Sequence, residues 1–206
     1  KNFLKKFLKS FFNKSSESNS TESRIGKYMP EKQDPIEERF TYNFTNNGGK
    51  FLYCENKKEC DDFFKKILQE NNWKDVEILC YDHNLLDLFS NKSELIVSKT
   101  NLNSKFFLTT CEFLVAIDGS LLICAEQIKS HKVNDLPKNF IVFAKISQFT
   151  ETLSLGLNGI KSKYPKNLPT NITTIKNFNS EEKENTNFLT YGSSAKNLYL
   201  LLLEDL

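Results

Sequence analysis

Glycine is scarce in this 206-residue chain, with seven in all. None of the seven is set in a G-x-G-x-x-G or G-x-x-x-x-G-K-[ST] loop, so a nicotinamide enzyme or a P-loop NTPase is disfavoured. Histidine is scarcer still. His83 and His131 each stand alone in a polar stretch, which reads as surface or loop histidine and leaves no partner for a hydrolase triad or a zinc site. No G-x-S-x-G nucleophile elbow occurs. The five cysteines, Cys54, Cys60, Cys80, Cys111 and Cys124, are odd in number, contain no C-x-x-C and mostly sit inside apolar runs. They read as buried free thiols in a reducing compartment, with no metal or iron-sulfur ligation.

Charge of one sign is also missing. Lys and Arg number 28 against 26 acidic residues, a net charge of +2 that gives no field arguing for nucleic acid. No apolar run approaches the roughly 18–20 residues of a membrane span, and the longest, "LYLLLLEDL" (198–206), is strand-sized. The expectation is a cytoplasmic protein with one sizeable core, in keeping with its length and 39% hydrophobic content.

What is present begins with "KNFLKKFLKSFFN" (1–13). Phe3, Leu4, Phe7, Leu8, Phe11 and Phe12 recur four apart, with Lys5, Lys6 and Lys9 between them. That spacing predicts an amphipathic helix suited to a partner or to the protein's own body, ahead of a membrane surface. Residues 14–29 open with "KSSESNSTES" (14–23), which lacks aliphatic and aromatic residues and predicts a flexible, serine-rich linker. The domain proper is expected over 30–206.

From Asp34 onward the punctuation is regular. Asp34 is expected to cap a helix with Pro35 at its first position and Ile36, Phe40 and Phe44 on one face, stopped by Gly48-Gly49. "KFLYC" (50–54), a helix with Cys60, Phe63, Phe64, Ile67 and Leu68 inward, and "VEILCY" (76–81) read as strand, helix, strand. A short helix follows Asp82 through Leu88, and less certain structure reaches Ser104. "FFLTTC" (106–111), "FLVAI", "SLLICA", "FIVFA" (140–144), "NITTI" (171–175) and "LYLLLLE" (198–204) read as further strands. Phe149, Leu153, Leu157 and Ile160 form one more helical stripe. Strands apolar on both faces that alternate with helices predict the α/β class, with a mainly parallel sheet covered by helices on both faces.

One break stands out between "FLVAI" and "SLLICA", at Asp118-Gly119-Ser120. Asp-Gly between apolar runs is a leading two-residue hairpin signal. The same residues suit an anion: Gly119 allows close approach, the Ser120 hydroxyl and N–H bind, and Asp118 orients a hydroxyl or acts as the weak candidate base. Lys129, His131 and Lys132 can add positive charge.

"TTCEFLVAIDGSLLI" (109–123) resembles the signature of the lactate-utilisation, or LUD-domain, family, in which an alanine-acidic-Thr-Gly-Thr/Ser segment lies between two apolar runs. "LPKNFIVFA" (136–144) resembles that family's Leu-Pro step into a strand, and "YGSSAKNLYLLLLEDL" (191–206) resembles its closing glycine loop and last strand. The resemblance implies a fold of the glucosamine-phosphate isomerase, ribose-phosphate isomerase and CoA-transferase group. Its look is that of the small LutC-type proteins, which act beside iron-sulfur partners in the oxidation of lactate to pyruvate. It implies a ligand site of Asp118, Gly119, Ser120, Lys132, Thr173, Thr174, Gly192, Ser193 and Ser194, with no cofactor and no metal.

Three departures accompany it. The family's threonine before glycine is replaced by Asp118, its Gly-Pro-Ser-x-Thr-Ala-Asp-Ile-Glu loop by "TNITTIKNF" (170–178), and its Gly-x-His-Gly-Pro by Gly192-Ser193-Ser194. The implied role is an accessory protein or subunit of lactate oxidation without its own redox centre. An anion-binding transferase or isomerase and a non-catalytic scaffold module are the alternatives.

Overall fold

The computed structural model describes residues 34–89, 95–178 and 196–205. The amphipathic segment 1–13, the linker 14–29 and the site residues Gly192, Ser193 and Ser194 lie outside the described residues.

Among the described residues ten strands form two sheets. The larger has six parallel strands in the order β1-β10-β7-β4-β2-β3. These are β1 (Lys50–Cys54), β2 (Glu77–Leu79), β3 (Ile96–Ser98), β4 (Phe106–Thr110), β7 (Asn139–Lys145) and β10 (Asn197–Leu203). Side chains along a strand alternate between faces, and the core divides accordingly. Leu198, Leu200 and Leu202 of β10 join one apolar cluster, while Tyr199, Leu201 and Leu203 join the other. Both faces are therefore buried, which is why these strands read as continuous apolar runs.

Helix α2 (Lys57–Glu70) and the one-turn α3 (His83–Leu86) cover one face through Phe64, Ile67, Leu85 and Leu86. Both are capped by side chains: Asn56 accepts from Glu59 N–H, and Asp82 from Asn84 N–H. The other face carries α1 (Ile36–Asn46) and a second, four-stranded sheet, β8-β5-β6-β9. Its strands are β5 (Phe113–Val115), β6 (Ser120–Ile123), β8 (Phe149–Thr150) and β9 (Thr173–Ile175). The one-turn α4 (Ala125–Ile128) follows β6, and α5 (Leu153–Lys163) packs its Ile160 against Val115 and Leu122 of the small sheet.

The α/β class with a mainly parallel sheet stands, and several local expectations change. The second sheet was hidden because its strands, two to four residues long, read as the same short apolar runs as the strands of the parallel sheet. Asp34 makes no side-chain cap to α1; its main-chain carbonyl accepts from Arg39 Nε at 3.0 Å, and Pro35 takes the capping position. Phe149 belongs to β8 rather than to the helical stripe, and Leu153 is exposed at the start of α5. The helix after Asp82 ends at Leu86, and β3 occupies part of the stretch before Ser104. Among the described residues no helix is long and apolar enough to cross a membrane, and all five cysteines are free and buried.

Candidate functional site

The Asp118-Gly119-Ser120 break is a hairpin turn. Val115 of β5 pairs with Ser120 of β6, residues 116–119 intervene, and Gly119 N–H closes the turn on Val115 O at 2.9 Å. The loop is thus longer than the two-residue form the Asp-Gly pair signals. Gly119 has φ +68, and a Cβ there would lie 2.3 Å from the main-chain nitrogen of Phe44. Its close approach is to helix α1. Asn43 Nδ2 donates to Ala116 O at 2.9 Å and Asn47 Nδ2 to Asp118 O at 2.7 Å, so α1 holds the turn from outside. The Asp118 carboxylate accepts from Ser120 Oγ at 2.7 Å and from Ser120 N at 3.1 Å, an Asx turn that occupies the buried serine hydroxyl. Lys176 Nζ lies 3.7 Å from the other oxygen of Asp118.

Thr173 and Thr174 sit in β9, paired with Ile123 and Leu122 of β6. Lys132 is exposed beyond α4, on a loop that Asn171 ties down by donating to Lys129 O and His131 O at 3.2 and 2.7 Å. The structure thus gathers Asp118, Ser120, Thr173 and Thr174 on the small sheet and keeps Lys132 on a separate loop.

A concavity lies elsewhere, where the topology predicts one. From β2 the chain moves outward to the edge strand β3; β4 then returns on the other side of β2, and the chain continues inward to β7. Connections that diverge in this way open a crevice at the carboxyl ends of the two strands, the usual ligand position in open α/β sheets. Here it encloses about 260 Å³ and is lined by Tyr81 and Asp82 after β2, Thr109 and Thr110 closing β4, and Glu126, Gln127 and Lys129 from the α4 turn.

Tyr81 is the crevice's most distinctive group. Phe107 meets its ring edge-on at 5.6 Å, His131 lies parallel to it at 6.3 Å, and Lys129 Nζ sits 5.8 Å from the ring centre. Its hydroxyl is buried and has no hydrogen-bond partner among the described residues. Burial pushes the phenol pKa up, so the group stays protonated and available as a donor. An unsatisfied buried hydroxyl costs about 1–3 kcal/mol, a cost that a bound acceptor removes. Lys129 carries backbone strain as well, with φ 56 and ψ −131, a region favoured by glycine. Two carboxylates also line the crevice, Asp82, whose Oδ1 accepts from Asn84 N–H at 2.9 Å, and the exposed Glu126.

Behind the crevice stands a buried acid that sequence reading passed over. Glu112 accepts from Gln127 Nε2 at 2.8 Å, Tyr164 Oη at 3.0 Å, Lys163 Nζ at 2.7 Å and Cys124 Sγ at 3.6 Å. Burial alone would raise its pKa. The Lys163 ammonium and the bonds from Gln127 and Tyr164 outweigh that and hold it below the ordinary carboxylate range. Gln127, whose amide oxygen also accepts from Cys124 N–H at 2.9 Å, therefore has a fixed orientation at the crevice wall. Among the described residues no group of three His, Cys, Asp or Glu side chains can hold a metal ion.

The LUD domain family matches residues 37–203. The chain belongs to the LUD-domain family. Of solved structures, the LUD domain is similar to the crystal structure of a DUF162-family protein from Deinococcus radiodurans, with a TM-score of 0.57 and 12% identity, over 82% of this chain and 96% of that one. At that identity the likeness establishes the shared fold. No curated protein matches the chain.

The sequence signal for this LUD domain's crevice was available in outline. Tyr81-Asp82 and Thr109-Thr110 are polar pairs at the ends of two apolar strand runs, where a parallel sheet places its ligand contacts.

Proposed function

We propose that this LUD domain holds a small organic acid in the crevice between β2 and β4 and serves as an accessory protein or subunit in the oxidation of L-lactate to pyruvate. It works in the cytoplasm beside an iron-sulfur partner that takes up the electrons. The observation that carries this reading is that a cation, Lys129, and a buried donor with no partner among the described residues, Tyr81, line one small crevice together with the carboxylates of Asp82 and Glu126. A 2-hydroxy acid has the complementary groups: its carboxylate meets Lys129 and the Tyr81 hydroxyl, and its own hydroxyl donates to Asp82 or Glu126. At about 260 Å³ the space suits a metabolite of that size and is below the ~300–1,000 Å³ of drug-sized ligand pockets.

An independent enzyme of the transferase type finds less support. The buried carboxylate of Glu112 is engaged by four donors and is not free to attack an acyl group. The small-sheet residues Asp118, Ser120, Thr173 and Thr174 contribute in this reading by fixing the hairpin from which α4 and Lys129 follow.

Thermal unfolding of the full chain against L-lactate, pyruvate, D-lactate and acetate tests the proposal. A stabilisation by L-lactate or pyruvate that disappears in Lys129→Gln supports it. The lack of any shift across the panel removes the organic-acid reading, and affinity purification that recovers no iron-sulfur protein removes the partner.

A further inference from the structure

A second and larger concavity, of about 470 Å³, runs along the edge strand β1 between α1 and α2, away from the crevice. Leu52 of β1, Phe63 and Ile67 of α2, and the ring of Tyr199 from β10 give it apolar walls. The hydroxyls in its walls are already satisfied internally. Thr41 and Thr45 donate to Glu37 O and Thr41 O at 2.8 and 2.7 Å, and Tyr199 Oη accepts from Lys50 Nζ at 2.7 Å and Asn71 Nδ2 at 3.0 Å. An apolar chain laid there would orphan none of these side chains.

Charge is concentrated at the rim. Lys50 and Lys66 are exposed lining residues, and Glu70 is the one carboxylate among the lining side chains. Lys66 Nζ lies 5.2 Å from the centre of the Phe63 ring and forms no ion pair within 4 Å among the described residues. The groove therefore offers apolar walls beneath a net positive rim.

We propose that this groove is a binding site for an amphipathic anion, a medium-chain acyl carboxylate whose hydrocarbon tail lies on Leu52, Phe63 and Ile67 and whose head group pairs with Lys66 and Lys50. The site is independent of the crevice and of the function proposed for it. The chain's own segment 1–13 is apolar too, but it carries Lys1, Lys5, Lys6 and Lys9, which would bring like charge against the rim.

Calorimetric titration of the full chain with decanoate below its micellar concentration, at two temperatures, is the test. One saturable site with a negative heat-capacity change is expected, as apolar burial requires. Affinity falls at least tenfold in Lys66→Glu, falls similarly for 1-decanol against the native chain, and is lost in Thr45→Trp, which fills the groove from an exposed position. Thermal midpoints near the native value show that both variants fold. No saturable binding overturns the proposal, as does binding that ignores both substitutions. Binding that appears only after Phe7→Asp and Leu8→Asp also overturns it, because the chain's own N-terminal segment is then the occupant.

Discussion

Lys163, in the last turn of α5, places its ammonium 2.7 Å from the carboxylate of Glu112, whose side chain is fully buried while that of Lys163 is 55% exposed. The pair joins α5 to the link between β4 and β5. Because the lysine keeps its solvent when the acid is removed, the cost of breaking the pair falls on the buried donors that lose a charged acceptor. Glu112→Gln is expected to destabilise the fold by about 2–3 kcal/mol, the range of hydrogen bonds to charged groups. Urea unfolding measures it, and a loss below half of that would mean that the glutamine re-forms the network.

The same acid sets an acid-side limit. Its folded pKa lies below the ordinary carboxylate value of 4.5, so the native state holds fewer protons than the unfolded chain in that window. Glu112 therefore contributes stability that is complete above the unfolded value and is lost as pH falls through the folded one. Native and Glu112→Gln proteins should converge in stability below pH 4.5. A gap that stays constant down to acid unfolding would contradict this.

Gly119→Ala tests whether the hairpin turn is a backbone constraint. The new Cβ would meet the main chain of α1 at 2.3 Å in a left-handed conformation, and neither the helix nor the turn can yield without losing the bonds from Asn43 and Asn47. A loss of about 3 kcal/mol is expected, the upper end of what overpacking a contact that cannot relax ordinarily costs. A thermal midpoint within a degree or two of the native protein would show that the turn stands off α1 in solution.

Lys196 predicts an alkaline trend of opposite sign from that of the thiols. The residue is 2% exposed, its ammonium donates to Leu136 O at 2.8 Å and Pro137 O at 3.2 Å, and burial pushes its pKa down to about 8 from 10.5. Between those values the unfolded chain binds more protons, so the lysine term makes the fold more stable as pH rises, by about 3 kcal/mol over the window. Buried thiols such as Cys80 and Cys124, raised to about 11, act the other way. The lysine term therefore has to be read as a difference. Native minus Lys196→Met stability, from urea unfolding, should increase between pH 7.5 and 9.5, and a flat difference would sink the assignment.

How much of this was legible in the sequence follows from how each feature is encoded. Strands β4, β7 and β10 announce themselves because both faces are buried, so every residue in "FIVFA" or "LYLLLL" is apolar. Phe149 misled for a physical reason: it lies four residues before Leu153 at helical spacing, yet Thr152 caps α5 after it, with its side chain accepting from Leu155 N–H. The crevice was harder, since its walls come from residues 81–82, 109–110 and 126–129, which only the crossover of β2 and β4 brings together. Glu112 lies between the runs "FFLTTC" and "FLVAI", and nothing local marks it as an acid with donors from Gln127, Lys163 and Tyr164.

Lys129 offers the sharpest separation of stability from binding. A lysine at φ 56 and ψ −131 holds a backbone conformation that costs about 1–3 kcal/mol for a residue with a Cβ, and such strain persists where a site needs the side chain. Its ammonium gains only a bond to Glu126 O at 3.1 Å and a position over the Tyr81 ring. Lys129→Gly removes the strain and the cation together. Allowing for the greater chain entropy of unfolded glycine, the variant should be more stable by about 1 kcal/mol, a rise of about 2–4 °C for a domain of this size. At the same time it should lose any stabilisation by L-lactate or pyruvate. Retained ligand stabilisation would exclude Lys129 from the site. An unchanged midpoint with lost binding would mean that its contacts with Glu126 and Tyr81 already offset the strain.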